Sequence, residues 1–453
     1  MIEPLYTADE MRAAEALYPG YPDTAPELME LAAAAVAEHL VRRHPDARRI
    51  TAVCGGGANG GDGRIAATLL ARSGREVTVV DAAMDGDLGS PDVMVDALFG
   101  TGFRGEPRPE AAALIEAMNA DGAPILAVDI PSGVNASTGE VAGVAVRAEL
   151  TVTFHGRKVG LVVAPGRFHA GDVVVADIGL EPAQTEHRLV TREVLGLVPR
   201  RGAGDNKYSA GSVLVVGGSP GLTGAVCLAA EAAFRADAGY VTVAAPAAAL
   251  PVLEERLIEA VKRPLDEVED AAARAGALAL GPGLGREPEA QALVRRLLTG
   301  LDLPAVVDAD ALFELEPFRR SAPTVLTPHA GELGRLLGEE SAWVSAHRLE
   351  AVQRAADRFD CVVLLKGADT LVAAPGEGVL VCGFGPPSLA TAGTGDVLTG
   401  VVAAFLAKGL EPRLAAAAAA VGHGLAAAAV PEQSGLIASD VIRELPRVLD
   451  APL

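Results

Sequence analysis

Positive charge is what this chain most lacks. Its 453 residues carry 38 Lys and Arg against 59 Asp and Glu, a formal net charge of −21. No basic face is left for nucleic acid or an anionic membrane surface, so both partner classes are excluded. Aromatic residues are scarce too, at 4%, while glycine reaches 51 residues, a balance that suits helices lying close on sheets. Four cysteines, Cys54, Cys227, Cys361 and Cys382, are widely spaced and form no C-x-x-C pair. That excludes a zinc knuckle or a disulfide frame and predicts reduced, mostly buried thiols in a cytoplasmic protein. The opening MIEPLYTADEMRAAEAL has no basic start followed by an apolar run, so no secretory signal is expected. Leu414–Val430 is Ala-rich but holds Gly422, His423 and Gly424, and reads as a packed small-residue helix rather than a membrane span. No Walker loop occurs, which removes the P-loop class.

What is present is alternation. Half the residues are apolar and 21% are charged, the balance of a folded chain long enough for two domains. Strand-like runs at 49–54, 76–81, 93–100 and 125–130 are separated by helical segments. A second set follows at 212–218, 240–246, 277–283, 305–312 and 324–330. Runs at 361–367, 371–375 and 378–383 come close together and predict a β-meander edging the second sheet. The pattern predicts two α/β domains with parallel sheets, residues 1–196 and 203–453, joined through the polar stretch Leu197–Tyr208.

The most informative motif is Ala390–Gly400, ATAGTGDVLTG. Gly393 and Gly395 allow a tight turn, and VLTGVVAAFLAKG reads as a buried helix ending at Gly409. Free amides at that helix start suit a phosphoryl group. Asp396 is either a helix cap or a base that takes a proton from an attacking hydroxyl. Lys366 in LLKGADT, His329 in LTPHAGE, Gly283 in GPGLG and Ala225 in GLTGA each follow an expected strand. Singly, Lys366 reads as a turn lysine and His329 as a capping histidine; their shared placement at strand ends points to one nucleotide-using site.

In the first half, Gly55, Gly57 and Gly60 fit G-x-G-x-x-G, and Asp81 ends the next strand, so a dinucleotide fingerprint is formally satisfied. Asp62 argues against it, because it falls where a pyrophosphate would meet the helix. Gly55–Gly63 also looks too polar for tight strand-to-helix packing. A second account collects Asn59, Asp62, Asp96, Asp129 and Ser132 at strand ends, where carboxylate, amide and hydroxyl oxygens suit a hard cation. Asp96 and Asp129 as plain turn caps remain the alternative.

GGANGGDG, VDALFGTG, VDIPSG and TFHGRKVG, over roughly residues 1–190, resemble the epimerase domain of NAD(P)H-hydrate repair enzymes. The resemblance implies a Rossmann-like three-layer domain that interconverts the R and S forms of hydrated NADH and NADPH, with K+ bound. It implies hydrate contacts at Ala58, Asn59, Gly60, Gly61 and Asp62, at Gly100, Thr101, Gly102, Phe103, Arg104, Gly105 and Glu106, and at Asp129. K+ would be held by Asn59, Asp96 and Ser132, and Asp129 would move a proton. The family usually has two asparagines before GGDG, and Ala58 replaces the first. TPHAGEL, KGADTLV and AGTGDVLTG, over about residues 200–453, are similar to the ribokinase-like α/β domain of the ADP-dependent (S)-NAD(P)H-hydrate dehydratase. That resemblance implies nucleotide contacts at Lys366, Gly367, Ala368, Asp369, Thr370 and Gly395, and hydrate contacts at Ala225, Gly283, His329 and Asp396. ADP would be the co-substrate with Mg2+, Asp396 the catalytic base, and AMP and phosphate the products. A homo-oligomer is implied as well. Two other readings stand beside it: a ribokinase-like small-molecule kinase, and a non-catalytic first half that only binds ligand.

Overall fold

The computed structural model describes residues 1–82 and 87–452, which divide into two compact units. One spans Pro4–His187; the other holds Met1–Glu3 and the chain from Arg188 onward. The border thus lies ahead of the linker expected at Leu197–Tyr208. The reason is apolar: Val190, Val194, Leu195 and Val198 are buried in the core of the second unit.

The first unit is built on β2 (Arg49–Cys54), β3 (Glu76–Asp81), β4 (Val93–Ala97), β5 (Ile125–Val128), β6 (Leu150–Phe154) and β8 (Asp172–Ala176). They form a parallel sheet in the order β3-β2-β4-β5-β6-β8. A short parallel pair, β1 (Ile2–Tyr6) with β7 (Arg157–Lys158), joins Leu5 to Arg157 and Tyr6 to Lys158. The helices are α1 (Ala8–Ala16), α2 (Ala25–Arg43), α3 (Ala58–Arg72) and α4 (Pro109–Asp121). Successive side chains of β2 serve opposite layers. Ile50, Ala52 and Cys54 join α2 and α3 in one core, while Val53 joins Ile115 and Met118 of α4 in the other. This is the expected three-layer arrangement.

The second unit runs β9 (His187–Val190), β10 (Ser212–Val216), β11 (Tyr240–Ala245), β12 (Val261–Pro264), β13 (Ala277–Leu280) and β14 (Ala305–Val307). It continues through β15 (Thr324–Leu326), β16 (Val362–Leu365), β17 (Thr370–Ala373) and β18 (Leu380–Cys382). Its strand order is β12-β11-β10-β13-β14-β15-β16-β17-β18-β9. β17 is antiparallel to both neighbours, so the meander forms as expected. It does not edge the sheet, because β9 pairs in parallel with β18. The α-helices among its described residues are α5 (Thr223–Arg235), α6 (Leu250–Arg256), α7 (Val268–Ala272), α8 (Pro288–Gly300) and α9 (Ala330–Leu337), then α10 (Ser341–Ala346), α11 (Arg348–Phe359), α12 (Thr394–Ala407), α13 (Pro412–Ala428) and α14 (Ala438–Asp450). α12 is apolar around its whole circumference and runs through the core, with Gly409 ending it in a left-handed turn. At Gly400 a Cβ would stand 2.1 Å from Ala229 O of α5, so the missing side chain sets the helix spacing. α13 is the buried small-residue helix expected, and no helix among the described residues is long and apolar enough to cross a membrane.

Strand order reverses between β2 and β4 in the first unit and between β10 and β13 in the second. A crevice opens beside the carboxyl ends of strands at such a reversal.

Candidate active sites

In the first unit the polar loop of the sequence is a helix. α3 starts at Ala58 with Gly57 as its cap, so ANGGDG forms its first turns. Asn59, Gly60, Asp62, Gly63, Ala66, Ala67 and Leu70 share its buried face at helical spacing. Tight strand-to-helix packing does occur here, against expectation. A Cβ on Gly60 would lie 1.9 Å from Gly55 O, and one on Gly63 would lie 2.4 Å from the Ala97 Cβ. Glycines, not apolar side chains, provide that approach. Ala58 is exposed.

The expected cation ligands do come together. Asn59 Nδ2 donates to Phe99 O (2.9 Å), and Phe99 N–H donates to Ser132 Oγ (2.9 Å). Ser132 Oγ donates in turn to Asp96 Oδ1 (2.6 Å), while Ser132 N–H donates to Asp96 Oδ2 (2.8 Å). Asp96 is wholly buried, and burial pushes its carboxyl up to about 6 despite the Ser132 bonds. A buried set of oxygen donors around one carboxyl fits a weakly charged hard cation such as K+.

Asp129 follows β5 with φ +66, and Ile130 N–H turns back to Val128 O (2.8 Å). Its Oδ1 receives Lys158 Nζ (2.6 Å), Thr153 Oγ1 (2.9 Å) and Phe154 N–H (3.4 Å). Lys158 has no exposed surface and also donates to Phe154 O (2.8 Å). Three donors on Oδ1 leave Oδ2 for a ligand. Asp62 and Glu15 of α1 feel the Asp129 charge. Lys158 and Glu15 were not singled out from the sequence. Lys158 lay unremarked inside TFHGRKVG, and Glu15 lies in MIEPLYTADEMRAAEAL, which was read only for its lack of a secretory signal. Gly100 to Glu106 form the half-exposed to exposed loop after β4, with Phe103 stacked on Phe99 at 4.6 Å. Phe103, Arg104 and Glu106 line an open groove with Gly56 and Asp81.

In the second unit the GTGD motif opens α12, with Gly393 as its cap at φ +90. Thr394 N–H leans on Thr391 O (3.4 Å), so the amides offered to an anion are those of Gly395 and Asp396. Lys366, after β16, puts Nζ 3.4 Å from where a Gly395 Cβ would stand. The same ammonium donates to Asp308 Oδ1 (2.7 Å), whose Oδ2 accepts from Thr399 Oγ1 of α12 (2.7 Å). Burial draws the lysine down, but Asp308, Glu332 and Asp396 outweigh it and hold it above the usual range. Asp396 is pushed up to about 7, first by burial and then by Asp308, with Lys366 opposing. Asp308 was missed by sequence reasoning; its signal was its place directly after the strand AVV.

His329 caps α9. Its Nδ1 accepts from Gly331 N–H (3.0 Å), and Glu332 Oε2 accepts His329 N–H (2.8 Å). The cap reading is correct, and it fixes Nε2 as the proton-bearing nitrogen on a half-exposed ring. Ala225 lies in the first turn of α5, with its Cβ 3.2 Å from the ideal Cβ position of Gly283, whose φ is +58. The Lys366–Thr370 turn is tied from behind by Arg348 of α11. Arg348 Nε lies 2.9 Å from Asp369 Oδ1 and its Nη2 donates to Asp369 O (3.2 Å). Asp369 is 1% exposed, so any nucleotide contact there runs through backbone. Thr370 Oγ1 donates to Gly367 O (3.2 Å), and Ala368 completes the turn. Arg348 was missed because it lies in a helix whose other charges face solvent. All four cysteines are buried and free. Among the described residues, no three or more His, Cys, Asp or Glu side chains form a ready metal cage.

Comparison with known proteins matches residues 213–447 to the family described as NAD(P)H-hydrate dehydratase. Residues 25–88 and 80–160 match the YjeF-related protein N-terminus. The bifunctional NAD(P)H-hydrate repair enzyme of Moorella thermoacetica is 39% identical over 93% of this chain and 92% of its own. That of Pyrobaculum aerophilum is 39% identical over 93% of each. Among solved structures, the ADP/ATP-dependent NAD(P)H-hydrate dehydratase of Bacillus subtilis, crystallised with ATP and Mg2+, is 31% identical. It covers 57% of this chain and 96% of its own, with a TM-score of 0.53.

Proposed function

The chain belongs to the bifunctional NAD(P)H-hydrate repair enzymes, and from that premise we propose how its two sites divide the work. It epimerises the R and S hydrates of NADH and NADPH and dehydrates the S form with ADP, giving AMP and phosphate. The observation that carries the dehydratase reading is Asp396 at the mouth of α12 beside the Lys366–Asp308 pair.

Hydroxide is a poor leaving group and phosphate a good one, so the hydroxyl is phosphorylated before it departs. Asp396 takes the hydroxyl proton, which its raised carboxyl suits near neutral pH. The Gly395 and Asp396 amides and the Lys366 ammonium hold the transferring phosphoryl group. Asp308 positions Lys366 and, through Thr399, ties it to α12. The ring nitrogen then expels phosphate, and the adjacent ring carbon loses a proton to solvent, restoring the C=C bond of the reduced cofactor. His329, Ala225 and Gly283 bind the hydrate, and the Lys366–Thr370 turn binds the nucleotide. Mg2+ would be carried by the nucleotide's phosphates and would neutralise their charge.

In the first unit Asp129 transfers the proton, while the α3 start and the Gly100–Glu106 loop seat the hydrate. Asn59, Ser132 and Asp96 would hold K+, which would supply a fixed positive charge beside the hydrate. We read the chain as cytosolic and homo-oligomeric. Free buried cysteines support the first reading, and family resemblance alone supports the second.

One incubation tests the division. A mixed-epimer hydrate with ADP, Mg2+ and K+ should convert completely to reduced cofactor, because epimerisation feeds the dehydratase. Conversion that halts at the S fraction removes the epimerase assignment, and a stable phosphorylated product removes the dehydratase assignment.

A further inference from the structure

We propose that Asp62 is the proton donor of the epimerase site, acting opposite Asp129 on the bound hydrate. The proposal rests on the epimerase reading of this unit and deepens it. Asp62 sits on the buried face of α3, one turn beyond Asn59, and is 8% exposed. Among the described residues its buried Oδ1 has no hydrogen-bond partner. An anion in that position is expensive, whereas a neutral carboxyl group holding a proton for a ligand is not. Asp129 is the opposite case, with Lys158, Thr153 and a backbone amide all donating to one oxygen. Two carboxyls given such different surroundings are the arrangement that separates an acid from a base.

The charged groups around Asp62 agree. Burial comes first, then Asp129 after β5 and Glu15 of α1, and together they push Asp62 up to about 8. Glu15 is itself raised, by burial and then by Asp129, with Lys158 and Arg12 opposing. α2 presents Met29, an apolar side chain, beside Gly61. Lys158 spends its ammonium on Asp129, Thr153 and Phe154.

The hydrate carries its hydroxyl on the carbon beside the ring nitrogen. Asp129 takes the hydroxyl proton, the C–O bond becomes C=O, and the C–N bond breaks with its electron pair passing to nitrogen. Nitrogen takes the proton from Asp62, leaving an open aldehyde and an N–H. After rotation, nitrogen attacks the other face of the carbonyl and returns its proton to Asp62. The new alkoxide recovers its proton from Asp129. One centre is inverted and nothing is consumed.

The test is epimerisation of R-enriched hydrate, followed by chromatography and corrected for the buffer rate. Asp62→Asn keeps shape and hydrogen bonding but has no proton to give, and should lose about 100-fold in kcat with KM little changed. Asp62→Glu should regain part of that loss. In the wild-type protein kcat should fall above pH about 8, as Asp62 loses its proton. Asp62→Asn within about tenfold of wild type, or a wild-type kcat that stays flat up to a pH of about 9.5, overturns the proposal. Should Asp62→Asn fail to fold, the wild-type pH profile decides alone. A wild-type protein with no epimerisation above buffer sinks the epimerase reading itself, which is a different result.

Discussion

The two units solve one problem in two ways. Each pairs an aspartate after a central strand with a lysine, Asp129 with Lys158 at 2.6 Å and Asp308 with Lys366 at 2.7 Å. Each also carries a second aspartate on the first turns of a glycine-led helix, Asp62 and Asp396, raised to about 8 and about 7. The difference lies in where the lysine looks. Lys158 is sealed behind Asp129, whereas Lys366 is partly exposed and bears on Asp396 itself. A nearby ammonium favours the carboxylate and therefore a base; without one, the carboxyl keeps its proton and serves as an acid. Position relative to one cation, more than residue type, sets the role.

The largest expected break in this comparison is Asp396→Asn, which should lower dehydration kcat by about 10³-fold while nucleotide binding survives. Turnover followed by reduced-nicotinamide absorbance, beside nucleotide titration, checks it; activity near that of the parent would disqualify Asp396 as base. Next is Asp129→Asn, which leaves Lys158 buried and unpaired and should destabilise the first unit by about 3–5 kcal/mol. Denaturant unfolding measures that, and an unchanged midpoint would mean that the pair carries little of the fold.

The pH dependence sharpens the contrast. Asp396 must be deprotonated to act, so dehydration should fall about tenfold per unit below a pH of about 7 and level off above it. Asp308→Asn removes a charge that raises Asp396, so the acid limb should move to lower pH. A limb that stays in place would show that Asp308 does not act on Asp396. The smallest contrast is between glycines. Gly283→Ala forces a Cβ to 2.4 Å from Leu222 O at φ +58 and should cost about 1–3 kcal/mol and raise the KM for hydrate. Gly395→Ala meets the Lys366 ammonium at 3.4 Å and Asp308 Oδ2 at 3.9 Å, with no left-handed backbone to strain, and should be milder. Equal effects would mean that open space around the lysine matters more than backbone strain.

Much of this was legible in the chain. Central strands are continuous apolar runs, and glycines or aspartates after them mark the crevice, so Asp96, Asp129, Lys366 and Asp396 stood out. What stayed hidden acts across long separations. Asp308 and Lys366 are 58 positions apart, Asp129 and Lys158 are 29 apart, and Arg348 and Asp369 are 21 apart. Such partners share no period or motif; only the folded sheet brings them together. The helical start at Ala58 was misread for a related reason. A glycine-rich polar segment resembles a loop until its helical face is seen packed against Gly55 and Ala97.

The Arg348–Asp369 ion pair has a consequence for how the nucleotide arrives. Because it is buried and tied to the Lys366–Thr370 turn by several bonds, the turn is already set before any ligand comes. Little ordering entropy remains to be lost on association, so affinity reflects the contacts made rather than a loop being tamed.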